Sequence, residues 1–132
     1  MEQPVLLIYH MDPSRQTALA AVCEALNIRA RLADDSEGKV PIGLLTGSDN
    51  PLRVIKEAEK RTGKGTKEYS IDEEMIIMSG FDENLLSSFL RTIREQGLAV
   101  GLKAVETVEN RYWNGEMLQD ELKKEREAFK SR

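Results

Sequence analysis

The chain predicts an α/β fold: a single domain over residues 1–132, with a four-stranded, mostly parallel sheet and helices on both faces. Three observations lead there. The runs Val5–Tyr9 and 75–78 are apolar at every position and too short for helices, as strands covered on both faces are. Each run is followed by a turn holding an aspartate and then by apolar residues at helical spacing. The length of 132 residues suits one domain, because two would each be too small to bury a core. The alternative is a ferredoxin-like α+β arrangement with extra helices, in which strands one and three run antiparallel.

After the first strand, Asp12-Pro13 supplies a helix cap and a first-turn proline. Leu19, Val22, Cys23 and Leu26 then make an apolar stripe, and Asn27 suits a left-handed end. Arg29–Ala33 alternates as a short second strand, broken by Asp34-Asp35-Ser36-Glu37-Gly38. Residues 34–73 are irregular. Within them, 40–45 fits either an edge strand or one helical turn, and Asn50-Pro51 starts a peripheral helix whose stripe is Leu52, Ile55 and Ala58 or Glu59. Residues 62–68, small and basic, read as a flexible loop.

The third strand passes through the turn Ser79-Gly80-Phe81-Asp82 into a helix with Leu85, Leu86, Phe89, Leu90 and Ile93 on one stripe and Gly97 as terminator. Residues 102–106 give the fourth strand. The last helix, 116–130, carries Leu118, Leu122 and Phe129 on one side, with its acids early and its bases late. No repeat at solenoid or propeller spacing is visible.

The 23 acids against 19 bases leave a charge of −4, which disfavours nucleic acid and anionic membrane surfaces as partners. No run reaches the ~20 apolar residues of a membrane span, and the first ten residues lack a secretory signature, so a cytoplasmic protein is expected. Cys23, the one cysteine, cannot close an internal disulfide and reads as a small core hydrophobe.

Candidate ligand-binding residues are His10, Asp12, Ser79, Asp82, Thr107, Asn110 and Trp113. In an open parallel sheet the loops after strands one, three and four would crowd around one opening at the carboxyl ends of the strands. Each residue also has a purely structural reading. His10 suits a hydrogen-bonded histidine, and Asp12 and Asp82 suit helix caps. Thr107 and Asn110 suit a backbone lock, with Trp113 closing the core edge. The acids at 34–37 and 72–74 lack calcium-loop spacing, Gly63-Lys64-Gly65-Thr66 lacks the phosphate-loop frame, and Ser79 lacks a nucleophile-elbow frame. No catalytic set, metal site or cofactor is named by these residues.

Lys103, Ala104, Thr107, Asn110 and Trp113, followed by Leu118, Glu121, Leu122 and Glu125, resemble a bacterial family known only as a domain of unknown function. Its members end in a Lys-Ala-x-x-Thr-x-x-Asn-x-x-Trp block and an acidic helix. Residues 74–81 are similar too, and 42–45 more faintly. The chain departs from the family at Val108, where a proline-containing turn is common, and at Arg126, where a histidine follows the final Glu. The resemblance implies a folded domain and no activity. The expected function is a small cytosolic, non-catalytic domain binding a protein partner, a small ligand or a second copy of itself. The alternative is an enzyme or metabolite-binding regulator using His10, Ser79 and Asn110 around one pocket.

Overall fold

A computed structural model describes residues 3–62 and 70–130; the flexible loop expected at 62–68 lies, beyond Thr62, outside the described residues. The strands are β1 (Val5–Tyr9), β2 (Arg29–Ala33), β3 (Met75–Ser79) and β4 (Leu102–Val105). The helices are α1 (Pro13–Ala25), α2 (Ile42–Thr46), α3 (Pro51–Thr62), α4 (Glu83–Glu95) and α5 (Gly115–Lys130). The sheet order is β2-β1-β3-β4, with β1 parallel to β2 and β3 parallel to β4. The central pair β1/β3 is antiparallel, the strand direction of the ferredoxin-like alternative, although here each βαβ unit keeps its two strands adjacent.

The two units are built on one template, displaced by seventy residues. Val5–Tyr9 corresponds to Met75–Ser79 and Pro13–Ala25 to Glu83–Glu95. His10 and Gly80 both take positive φ after the strand, and Asn27 and Gly97 both take it after the helix. Each helix closes with matching bonds, Ile28 N to Cys23 O at 2.8 Å and Leu98 N to Ile93 O at 2.7 Å. In the central pair Leu7 lies opposite Ile77, its own counterpart, so a local twofold axis passes through that point. The antiparallel bridge between Pro41 and Asn114 joins the residues that precede α2 and α5.

Alternation along the strands sends one set of side chains to each face. Leu6, Ile8, Ile76 and Met78 meet Leu19, Val22 and Cys23 of α1 and Phe89 and Ile93 of α4. Leu7, Tyr9, Met75, Ile77 and Leu102 meet Ile42 and Leu45 of α2 and Leu118 of α5. Helices therefore cover both faces.

Within residues 40–45 the chain enters the helical turn at Ile42 rather than forming an edge strand, and α2 stops at Gly47, which takes φ 71. Asn50 caps α3 by accepting from Leu52 N at 2.9 Å. The apolar face of α3 keeps Ala58 of the expected stripe but otherwise differs: Val54 is buried, while Leu52 is 78% and Ile55 42% exposed. Val54 packs where α2 offers Gly43, whose missing Cβ would lie 3.2 Å from Val54 Cγ2. In α5 Leu118 is buried but Phe129 is 77% exposed, because the helix outruns the four-residue strand it covers. α5 begins at Gly115 for a steric reason: a Cβ there would fall 2.6 Å from the ring of the buried Tyr9. No helix among the described residues is long and apolar enough to cross a membrane.

Candidate functional site

Because β1 and β3 are antiparallel, the loops after them open at opposite ends of the sheet. His10 and Asp12 stand at one end, and Ser79, Asp82, Thr107 and Asn110 at the other. The common opening expected for these loops is thus not formed. Direction is parallel within each unit and reverses between units, so His10 and Asp12 line one hollow, Ser79 a second, and Thr107, Asn110 and Trp113 a third, while Asp82 lines none of these.

The first hollow, about 730 Å³, is shallow and acidic, lined by His10, Met11, Asp12, Gln16, Ala33, Asp34, Asp35, Asp72, Glu73 and Glu74. Most of its carboxylates are already engaged. Glu74 receives Arg15 Nε and Nη2, both at 2.8 Å, and Glu73 receives Arg126 Nη1 at 2.6 Å and Nη2 at 3.0 Å. Lys123 donates to Asp72. These bonds hold the carboxyls of Glu73 and Asp72 below the usual carboxylate range. Asp34 accepts from Ser36 N at 2.8 Å and forms a capping box with Glu37. Asp12 makes no capping bond to α1, contrary to expectation. Its carboxylate accepts from the Ser14 hydroxyl, and Pro13 has no N–H to offer. Asp82 does cap α4, accepting from Leu85 N at 2.8 Å. His10 is exposed at φ 54, a left-handed conformation that its counterpart Gly80 adopts without a side chain.

The second hollow, about 180 Å³, lies at the carboxyl ends of β3 and β4 and is lined by Gln3, Val5, Thr46, Ser48, Ser79, Gly80, Glu106 and Arg111. At its base the Glu106 side chain is only 2% exposed. Thr46 Oγ1 donates to Glu106 at 2.7 Å, and the Ser48 hydroxyl donates to its other oxygen. Arg111 Nε stands 3.8 Å from Glu106 Oε2, beyond hydrogen-bond reach, and has no hydrogen-bond partner among the described residues. The same guanidinium lies 3.8 Å from Asp49, whose carboxyl is lowered first by the Asn50 N–H and also by Arg53, Tyr112 and Arg111. Apart from Ser79, these polar residues were not foreseen. Glu106 falls within a predicted strand, and Thr46 and Ser48 belong to the irregular stretch.

The third hollow, about 320 Å³, is a groove between β4 and α5. Its floor is Ala104, Trp113, Leu118 and Leu122, and its rim carries Lys103, Glu109, Glu121 and Glu125. Thr107 and Asn110 form the lock that their spacing suggested. Asn110 Oδ1 accepts from Thr107 N at 2.8 Å, Asn110 N donates to Thr107 Oγ1 at 3.1 Å, and Asn110 Nδ2 donates to Val105 O at 3.0 Å. Asn110 is 8% exposed, so its amide ties the end of β4 and holds the groove wall. Gln119, another residue the sequence did not single out, anchors the far side of α5. Its amide accepts from Asp72 N at 2.9 Å and donates to Ser70 O at 2.9 Å.

Two buried groups take no part in these hollows. Burial pushes the Cys23 thiol up to about 11, which leaves little thiolate for chemistry. Burial likewise raises the Tyr9 phenol, whose hydroxyl has no hydrogen-bond partner among the described residues.

No curated protein and no solved structure matches the chain. A family model described as a domain of unknown function (DUF3783) matches residues 74–129, so the half that carries β3, α4, β4, the groove and α5 is similar to an uncharacterised domain family.

Proposed function

We propose that the chain is a non-catalytic interaction domain of the cytoplasm that holds a basic segment of a partner protein in the groove between β4 and α5. One observation carries this reading: Glu109, Glu121 and Glu125 line the same groove as the half-buried Trp113 and make no ion pair among the described residues. Elsewhere on α5 the carboxylates are matched, Glu116 to Lys39 at 3.0 Å and Asp120 to Lys124 at 3.0 Å. An aromatic face beside free carboxylates suits an arginine or lysine, whose stem packs on the ring while its charge meets the acids. The apolar floor of Ala104, Leu118 and Leu122 suits a neighbouring aliphatic side chain. The groove lies wholly within the segment that matches the uncharacterised family. The single cysteine, buried as a thiol, supports the compartment.

The enzyme alternative needs His10, Ser79 and Asn110 around one opening, and the antiparallel centre of the sheet separates them. A labelled peptide alternating arginine and leucine tests the binding reading against a counterpart with glutamate for arginine. The basic peptide binds, weakens with salt, and loses about tenfold in affinity on Glu121→Lys with Glu125→Lys. Equal binding of both peptides, or a double variant that binds as well as the parent, overturns the reading, as does a groove filled by a second copy and revealed by sedimentation as a dimer.

A further inference from the structure

The small hollow at the ends of β3 and β4 holds more unmet polar capacity than a structural ion pair requires. Glu106 brings a carboxyl group into a site where its side chain is 2% exposed. Thr46 and Ser48 each fill one acceptor position on separate oxygens, and a carboxylate oxygen has room for another donor. Arg111 also lines the cavity, and its buried Nε–H goes unmet among the described residues. A tight structural pair would close to ~2.8 Å, whereas these charges stand 3.8 Å apart, side by side in the wall of the cavity. Their separation leaves both able to face a third group.

We infer that this cavity is a binding site for a small zwitterion of the α-amino acid class, with its ammonium on Glu106 and its carboxylate on Arg111. A simple anion would meet the Glu106 charge and a simple cation the Arg111 charge, while a zwitterion satisfies both. Size agrees: about 180 Å³ admits a molecule of about six non-hydrogen atoms, taking the ~30 Å³ of one water as the unit. Ser79, which lines the cavity at the end of β3, carries a hydroxyl that can serve as a further donor or acceptor. This site is separate from the groove occupied in the proposed function, and neither depends on the other.

The test is titration of the whole chain with glycine, alanine and serine, with acetate and methylammonium as single-charge probes, followed by amide chemical shifts and calorimetry. An amino acid shifts the amides of Ser48, Gly80 and Glu106 saturably, and each single-charge probe binds at least about tenfold more weakly. Glu106→Gln and Arg111→Gln each remove the binding, with circular dichroism unchanged. Because Glu106→Gln can weaken the fold, the shifts in the unmodified protein decide the matter by themselves. No shift with all three amino acids at about 10 mM, well above the ~1 mM scale of such small ligands, overturns the inference. So do acetate or methylammonium binding as tightly, and shifts that map outside the cavity.

Discussion

Residues 5–33 and 75–105 place the same turns at equivalent positions and share a twofold axis, yet the molecule finishes each half differently. After β2 the chain makes one turn of α2, stops at Gly47 and leaves the sheet as α3. After β4 it makes the sixteen-residue α5, which runs past the edge of the sheet and creates a groove beside it. The edge strands are closed differently as well. Asp34 and Glu37 form a capping box after β2, whereas Asn110 bonds Val105 O and Thr107 N after β4. The lesson is that the paired βαβ units supply the scaffold, and the unequal element after each supplies the surface. The family match, limited to 74–129, covers the half that carries the long helix.

The strongest way to break this comparison is through the shared core. Leu19 and Phe89 occupy equivalent positions on one face and are 1% and 0% exposed. Leu19→Ala is expected to cost about 3 kcal/mol and Phe89→Ala about 4 kcal/mol in denaturant unfolding, each with one cooperative transition. Two separated transitions would show that the halves fold independently and that the axis is only formal.

A smaller effect separates the strand ends. Asn110→Ala removes two bonds from a buried lock and is expected to cost about 2 kcal/mol, against about 1 kcal/mol for Asp34→Ala on the exposed capping box. The same unfolding measurement checks the order, and the reverse order would mean that the first edge carries the tighter lock.

The smallest effect lies at the paired left-handed positions. Gly80→Ala is expected to lower stability by about 1 kcal/mol, and His10→Gly to raise it by about 0.5 kcal/mol, since relief of the side-chain clash is partly offset by the entropy of glycine. Thermal melts decide this. A His10→Gly protein that melts lower would show that the imidazole makes a contact worth more than its backbone strain.

Much of the scaffold was legible because it rests on local chemistry. The apolar runs of β1 and β3 and the stripes of α1 and α4 appear in the sequence at the proper period, and Asn27, Asn50, Asp82 and Gly97 act in their expected turn and cap roles. The Thr107–Asn110 lock was legible for the same reason, being a bond between residues three apart. The repeat itself was not, because Asp12 and Asp82 are the only identity between residues 5–28 and 75–98. Burial constrains size and polarity at these positions and leaves the choice among Leu, Ile, Met and Phe open. Asp12 misled because serine and aspartate side chains can bond each other as readily as a helix end.

By itself, then, the sequence determined a single α/β domain, the places of its strands and main helices, and the turns that join them, since periodicity and turn chemistry act over a few residues. Only the tertiary structure decided that β1 and β3 run antiparallel, that Val54 rather than Leu52 docks α3, and that Glu106 meets Thr46 and Ser48. An apolar strand reads the same in either direction, and a polar contact across sixty residues leaves no mark in the spacing of the residues that make it.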